Sequence, residues 1–368
     1  MTVLRRSSPA MFVMIACAVL AQASHAQTEA AGEPGAATVP PNDRPFEEHW
    51  WPTEWGPADR VGAANRTTPA MVLSALRLVK RGKTATLGKL YAPDIPLVDP
   101  RIWHLTIPGT PTGGPFGDNR VVYHDELLTA QIGQVGTQFD GPGHLGVRTS
   151  KGDYFYNGRN REAAYARGPG NNVTGMGELG VEAVAERGFV CRAILLNAAA
   201  YKKMDRLPVP TSSTSPGIVT ADDVKGMLKA QNLEEPREGD CVFLYTGHGD
   251  LWKNSEWLTL SAEQKKERVR LYNTGEPGFG LSACHYLASR KIILYGGDTS
   301  ADAGPVTEVP GSVSLCHVEL QPRHGIWALE NLDFEPLLKD NVYEFMFVWA
   351  PLKMVGATGS PGNPVALY

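Results

Sequence analysis

The chain has no excess of basic residues: 35 Lys and Arg face 39 Asp and Glu, for a formal net charge of −4. Nucleic-acid binding calls for a clustered positive surface, so that class is set aside. No CxxC or CxxH spacing occurs among the five cysteines, which removes a cysteine-bound metal from consideration. No internal repeat and no run of like charge is present, so neither a repeat array nor a charged tail is expected. The apolar run Met11 to Ala21 is too short to span a bilayer, and stable membrane insertion is not expected.

What is present begins with an export signal. Arg5 and Arg6 precede that apolar run, and Ser24-His25-Ala26 offers small residues where a signal peptidase reads them. Residues 1–26 are therefore read as a secretory signal, with lipoprotein processing ahead of Cys17 as the competing reading, and the mature protein is expected in the periplasm or outside the cell. Loss of Arg5 and Arg6 takes the net charge from −4 to −6. Export permits disulfides among Cys191, Cys241, Cys284 and Cys316 without requiring them. Cys191 and Cys241 lie in apolar, strand-like runs and read as buried free thiols.

Residues 27–45 are dominated by Ala, Gly and Pro and read as a flexible leader, which leaves 46–368 as the folded part. Thr68-Pro69 opens a helix whose apolar Val72, Leu73, Leu76 and Val79 recur at helical spacing until Gly82 closes it. Capping boxes at Thr220/Asp223 and Ser261/Gln264 head two further helices, and another covers 282–290. Apolar β-rich runs at Phe189–Leu196, Cys241–Tyr245, Ile292–Tyr295 and Val342–Trp349 alternate with them. The pattern predicts one compact α/β domain with a mixed β-sheet.

One stretch concentrates polar groups: GQVGTQFDGPGHLGV, residues 133–147. In an extended strand Gln134, Gln138 and Asp140 would share a face, and Gly141-Pro142-Gly143 would then turn His144 back toward it. His49, His285 and His324 read as structural or surface histidines. His317 lies 13 residues before Glu330, across a loop-like Gln321-Pro322-Arg323-His324-Gly325, a spacing that lets two short elements present an imidazole and a carboxylate to one point. Such a pair suits a divalent transition metal, and a structural His–Glu contact is the other reading.

Segment 134–144 resembles the HxGTHxDxPxH signature of the cyclase-like metal-dependent hydrolases, the family that includes bacterial kynurenine formamidase and isatin hydrolase. Further blocks resemble that family in its own order: WGPADRVGAANRTTPAMVLSALRLVKRG (55–82), GFGLSACHYLA with KIILYGGDTS (278–300), GIWALENLDF (325–334) and FVWAPLKMVGATGSPGNPVAL (347–367). An ordered set of this kind is more specific than any single pattern. The resemblance implies the swivelling β/β/α architecture, a homodimer or homotetramer, and hydrolysis of an amide or imide C–N bond in a small, often cyclic or aromatic substrate. It also implies that the positions Gln134, Gln138, Asp140, His317 and Glu330 carry a divalent metal, while His144 carries a proton.

Both early histidines of the signature are glutamines here, as in a long-chain branch with TQxDGxxH. An amide oxygen is a harder, weaker ligand for zinc than an imidazole nitrogen, so Mn2+ gains on Zn2+. Two arrangements stay open: all five groups ligate, or Asp140, His144, His317 and Glu330 grip the ion while the amides orient ligands or substrate.

His248, in a loop following a strand, is a candidate for the pocket lining, with a turn-stabilising role as the equal alternative. Trp103, His104 and Phe116 are candidates for an aromatic wall of the substrate cavity. Asp298 reads as an Asp bonding its own turn. Two other functional classes compete with the hydrolase: a metal-dependent lyase or cyclase acting on a small carbonyl compound, and a metal-free periplasmic binding protein.

Overall fold

Residues 50–160 and 165–368 are described by the computed structural model, and all of them belong to the compact unit Asn42–Tyr368. The signal segment, the leader and His49 lie outside the described residues. Among those described, nine strands form one mixed sheet. In chain order they are β1 (Thr84–Thr86), β2 (Gln138–Asp140), β3 (Phe189–Asn197), β4 (Cys241–Tyr245), β5 (Leu294–Gly297), β6 (Trp327–Glu330), β7 (Glu344–Trp349), β8 (Gly359–Pro361) and β9 (Val365–Leu367). Their spatial order is β1-β9-β7-β3-β4-β5-β6-β2-β8.

The centre of the sheet is parallel, with Ala193 beside Cys241, Cys241 beside Leu294 and Leu294 beside Trp327. Parallel strands need crossovers, and these carry the helices. α2 (Ala221–Ala230) joins β3 to β4, and α3 (Ala262–Tyr272) and α4 (Leu281–Ser289) join β4 to β5, after α1 (Pro69–Leu76) near the start of the domain. Covered on both faces, the central strands are nearly continuous apolar runs: ILL of β3, VFL of β4 and WAL of β6 are all buried. The two capping boxes form as the sequence requires, Asp223 N donating to Thr220 Oγ1 at 3.2 Å and Gln264 N to Ser261 Oγ at 3.3 Å. No helix among the described residues is long and apolar enough to cross a membrane.

Three expectations are corrected. The first helix stops at Leu76 rather than running to Gly82, with Leu73 and Leu76 exposed. The backbone N–H groups of Arg81 and Lys83 both donate to Tyr368 O, at 3.1 and 3.0 Å, and draw the chain to the sheet edge where β1 begins. Second, the polar stretch is not one strand: only 138–140 are extended, and Gln134 sits in a preceding turn where Gly136 takes a φ of +67°.

Third, the buried cysteines are paired. Cys191 bonds Cys241 across neighbouring strands with Cα atoms 6.1 Å apart, and Cys284 of α4 bonds Cys316 at 5.5 Å, both within ordinary disulfide reach. Strand pairing brought the first two together, which local hydrophobicity does not reveal.

Candidate active site

The register between β2 and β6 builds the site. These strands run antiparallel with Gln138 opposite Glu330 and Ala328 opposite Asp140, so Gln138, Asp140 and Glu330 project from one face. On the far side of β2, Gly359 of β8 pairs with Asp140, leaving no room for a side chain: a Cβ there would lie 2.7 Å from Gln134 Nε2. His317 arrives from α5 (Leu315–Val318), which leads into a single π turn, Glu319–Arg323. The turn 141–144 closes with His144 N donating to Gly141 O at 3.0 Å. Its glycines serve close packing, since a Cβ on Gly141 would lie 2.8 Å from Thr358 O and one on Gly143 2.9 Å from Met176 Cε.

Asp140, His317 and Glu330, all buried, offer donor atoms within 4.8 Å of one another. His317 Nε2 lies 2.8 Å from Glu330 Oε1 and 3.4 Å from Asp140 Oδ2, while its Nδ1 is 2.9 Å from Asp302 Oδ2. His144 Nε2 is 3.7 Å from Asp140 Oδ2. Gln138 Nε2 donates to Glu330 Oε2 at 2.9 Å and to Gln134 Oε1 at 3.4 Å, and Gln321 Nε2 donates to Asp140 Oδ2 at 3.4 Å.

All the residues assigned to metal or proton transfer from the sequence therefore converge. Gln134, Gln138, His144, His317 and Glu330 line one cavity of about 310 Å3, which Leu97, Val98, Arg101, Val135, Tyr272, Glu276 and Asn331 help to enclose.

Charge in the cluster is unevenly held. Burial pushes Asp140 up, but the charges and hydrogen bonds of His144, His317 and Gln321 outweigh it and keep the carboxyl well below its usual range. Burial and then the Asp140 charge push Glu330 far up. Burial alone would lower His317, yet its contacts with Asp140, Asp302 and Glu330 raise it well above an ordinary imidazole. His144 is lowered, first by burial and then by the His317 and Arg101 charges against the pull of Asp140, and so is biased toward its neutral form.

The cluster fits a cation. Asp140 Oδ1 and Gln321 Oε1 are buried oxygens with no hydrogen-bond partner among the described residues, a costly arrangement that a cation beside them would relieve. The donors are imidazole nitrogen and carboxylate or amide oxygen without sulfur, which suits Mn2+ or Zn2+. Asp302 holds His317 at Nδ1, as the outer partner of a metal-binding imidazole would.

Four residues proposed for the substrate wall do not line this cavity. His248 is buried behind it, Nε2 3.2 Å from Tyr272 O, so it supports a lining residue. Trp103 packs 4.8 Å from Tyr91 in a separate cavity of about 500 Å3. His104 is exposed, and Phe116, 56% exposed, stacks on Tyr123 in a neighbouring hairpin. Aromatic content alone could not separate these hairpins from the cavity.

Asp298 is structural as expected, but it bonds a neighbouring turn, accepting from Thr246 N at 2.9 Å and Gly249 N at 3.0 Å. His285 and His324 both reach Glu319, at 3.5 and 3.2 Å. The sequence reading missed Asp302, Gln321, Glu276 and Arg101. For Asp302 a signal existed, because it follows directly on the loop after β5, where parallel sheets place ligand groups.

An α/β protein with a mixed sheet and a buried histidine–carboxylate cluster fitted to a divalent ion is the class these observations define. The chain belongs to the cyclase family: the family model described as "Putative cyclase" matches residues 66–302. Asp140, His144 and Asp302 fall inside that match, and His317 and Glu330 beyond it. A solved structure described as that of a novel cyclase is 27% identical, with a TM-score of 0.68 over 85% of this chain and 98% of that one. Isatin hydrolase A from Ralstonia solanacearum shares the fold at 17% identity and a TM-score of 0.51, covering 82% of this chain and 98% of its own. An isatin hydrolase bound to the product analogue thioisatinate does so at 16% identity and a TM-score of 0.50, covering 82% and 99%. No curated protein matches the chain.

Proposed function

We propose that this protein is a metal-dependent hydrolase that cleaves an amide or imide C–N bond in a small, cyclic or aromatic compound. The observation that carries the reading is Asp140 Oδ1, buried without a hydrogen-bond partner among the described residues beside His317 and Glu330, which line the cavity. Asp140, His317 and Glu330 would hold the ion, Mn2+ or Zn2+. When bound, such an ion acidifies water and polarises a carbonyl oxygen.

The chain's own groups do the rest. Asp302 holds His317 at Nδ1, so that Nε2 faces the carboxylates. Gln138 donates to Glu330 and thereby orients it, which favours the outer-shell role for this amide. His144, biased toward the neutral form, accepts at Nε2 the proton that water loses as its oxygen bonds the carbonyl carbon. It returns that proton to the nitrogen as the C–N bond breaks.

Export by residues 1–26 is part of the proposal, and two disulfides accord with an oxidising compartment. So is a homodimer or homotetramer, which would cover Leu105, Phe116, Val122 and Leu127, all at least half exposed.

The test is elemental analysis of the purified protein together with turnover of cyclic imides and aryl formamides in 18O water. Stoichiometric Mn or Zn and one solvent oxygen per product are expected. His144→Ala should lower kcat about 100-fold or more with the metal retained, and Asp140→Ala should lose the metal. Product without solvent oxygen would make the enzyme a lyase, and absence of bound metal with unchanged turnover in both variants would end the proposal.

A further inference from the structure

Arg101 lines the same cavity as His144, His317 and Glu330, and it is half-buried. Its backbone N–H donates to Val98 O at 3.0 Å, but its guanidinium has no ion pair and no side-chain hydrogen bond among the described residues. Other arginines of the domain are matched: Arg192 lies between Asp240 and Glu344, Arg148 is on Asp153, and Arg60 is on Glu182. The acids that share the cavity are engaged elsewhere. Glu330 faces His317 and Gln138, and Glu276 accepts from the backbone N–H of Ser300 at 2.9 Å and from its hydroxyl.

A guanidinium is always charged, and its planar fork matches a carboxylate with two parallel hydrogen bonds. Set in this cavity without a counter-ion among the described residues, it is complementary to an anion that comes from outside. The rest of the cavity would resist such a ligand, since Glu276 and Glu330 line it and Asp140 lies behind. Arg101 is the group that reverses this at one side.

We propose that Arg101 determines substrate choice, and that the substrate is a small amide or imide bearing its own carboxylate, which the guanidinium holds while the scissile bond faces His144. This inference rests on the hydrolase reading and narrows it to anionic substrates.

Two measurements test it. First, benzoate and its uncharged isostere benzamide are titrated calorimetrically into wild-type protein, Arg101→Gln and Arg101→Lys, each loaded with manganese and also stripped by chelator so that no ion can receive the carboxylate. Benzoate affinity should fall about 10- to 100-fold in Arg101→Gln, as expected for a charge-assisted pair, with benzamide unchanged and Arg101→Lys intermediate. Equal benzoate binding in wild type and Arg101→Gln, a parallel loss of both ligands, or no benzoate binding by wild type would each overturn the proposal.

Second, 2-formamidobenzoate and formanilide are compared as substrates: Arg101→Gln should raise KM for the first and leave the second unaltered. Equal slowing of both would assign Arg101 to the carboxylate formed in the reaction and overturn the claim. If neither amide turns over while the benzoate result holds, the hydrolase reading fails and the anion site stands.

Discussion

Asp302 Oδ2 sits 2.9 Å from Nδ1 of His317, at the ring nitrogen that Glu330 does not touch. The imidazole is thus fixed from both edges, and only the Nε2 edge faces the cavity. Replacing Asp302 by Asn keeps the shape but removes the charge that favours an Nδ1–H tautomer. Affinity for the divalent ion should fall about 10- to 100-fold in Asp302→Asn, read by competition with a chromophoric chelator. An unaltered constant would show that Asp302 does not act through His317.

Ion uptake should release protons. In the metal-free protein burial and the Asp140 charge keep a proton on Glu330 above the usual carboxylate range, and the surrounding acids keep His317 cationic. An ion requires both groups deprotonated, so the sign is fixed: affinity rises as pH rises and is lost toward acid. Calorimetry in buffers of differing ionisation enthalpy at about pH 7 should report a net proton release, and a pH-independent constant would contradict the charge state described here.

The two disulfides should separate stability from site geometry. Paired Cys→Ser replacement at 191 and 241, or at 284 and 316, should each destabilise by about 2–4 kcal/mol in thermal or denaturant unfolding. The second pair should also weaken ion binding, because Cys316 is the residue before His317 and ties α5 to α4. Identical metal affinity in both double variants would mean that α5 holds its place without the bond.

Much of this arrangement is legible in the sequence, and the reason is physical. The central strands are covered on both faces, so ILL, VFL and WAL stand out as apolar runs, and Thr220 and Ser261 mark helix starts through bonds to residues only three positions away. The even spacing of Gln138 and Asp140 survives as a shared face, while Gln134 reaches the cluster from a turn instead.

What stays hidden is whatever depends on distance through space. Asp302 and Gln321 act on His317 and Asp140 across tertiary contacts that leave no periodic mark, and Arg101 is notable only for lacking a side-chain partner among the described residues. Cys191 reads as a hydrophobic residue until β4 places Cys241 beside it. Trp103 and Phe116 carry the chemistry of a pocket wall, but each spends its ring on a tyrosine nearby.

The covalent link between Cys284 and Cys316 makes redox poise a structural input to the candidate ligand cluster. A preparation folded in reducing cytosol would present His317 on a segment that lacks this bond, with Asp302 still holding its backbone and ring, and under the hydrolase proposal it should bind an ion less tightly than after oxidation. Folding compartment is therefore a variable to be controlled before any assay of this molecule is interpreted.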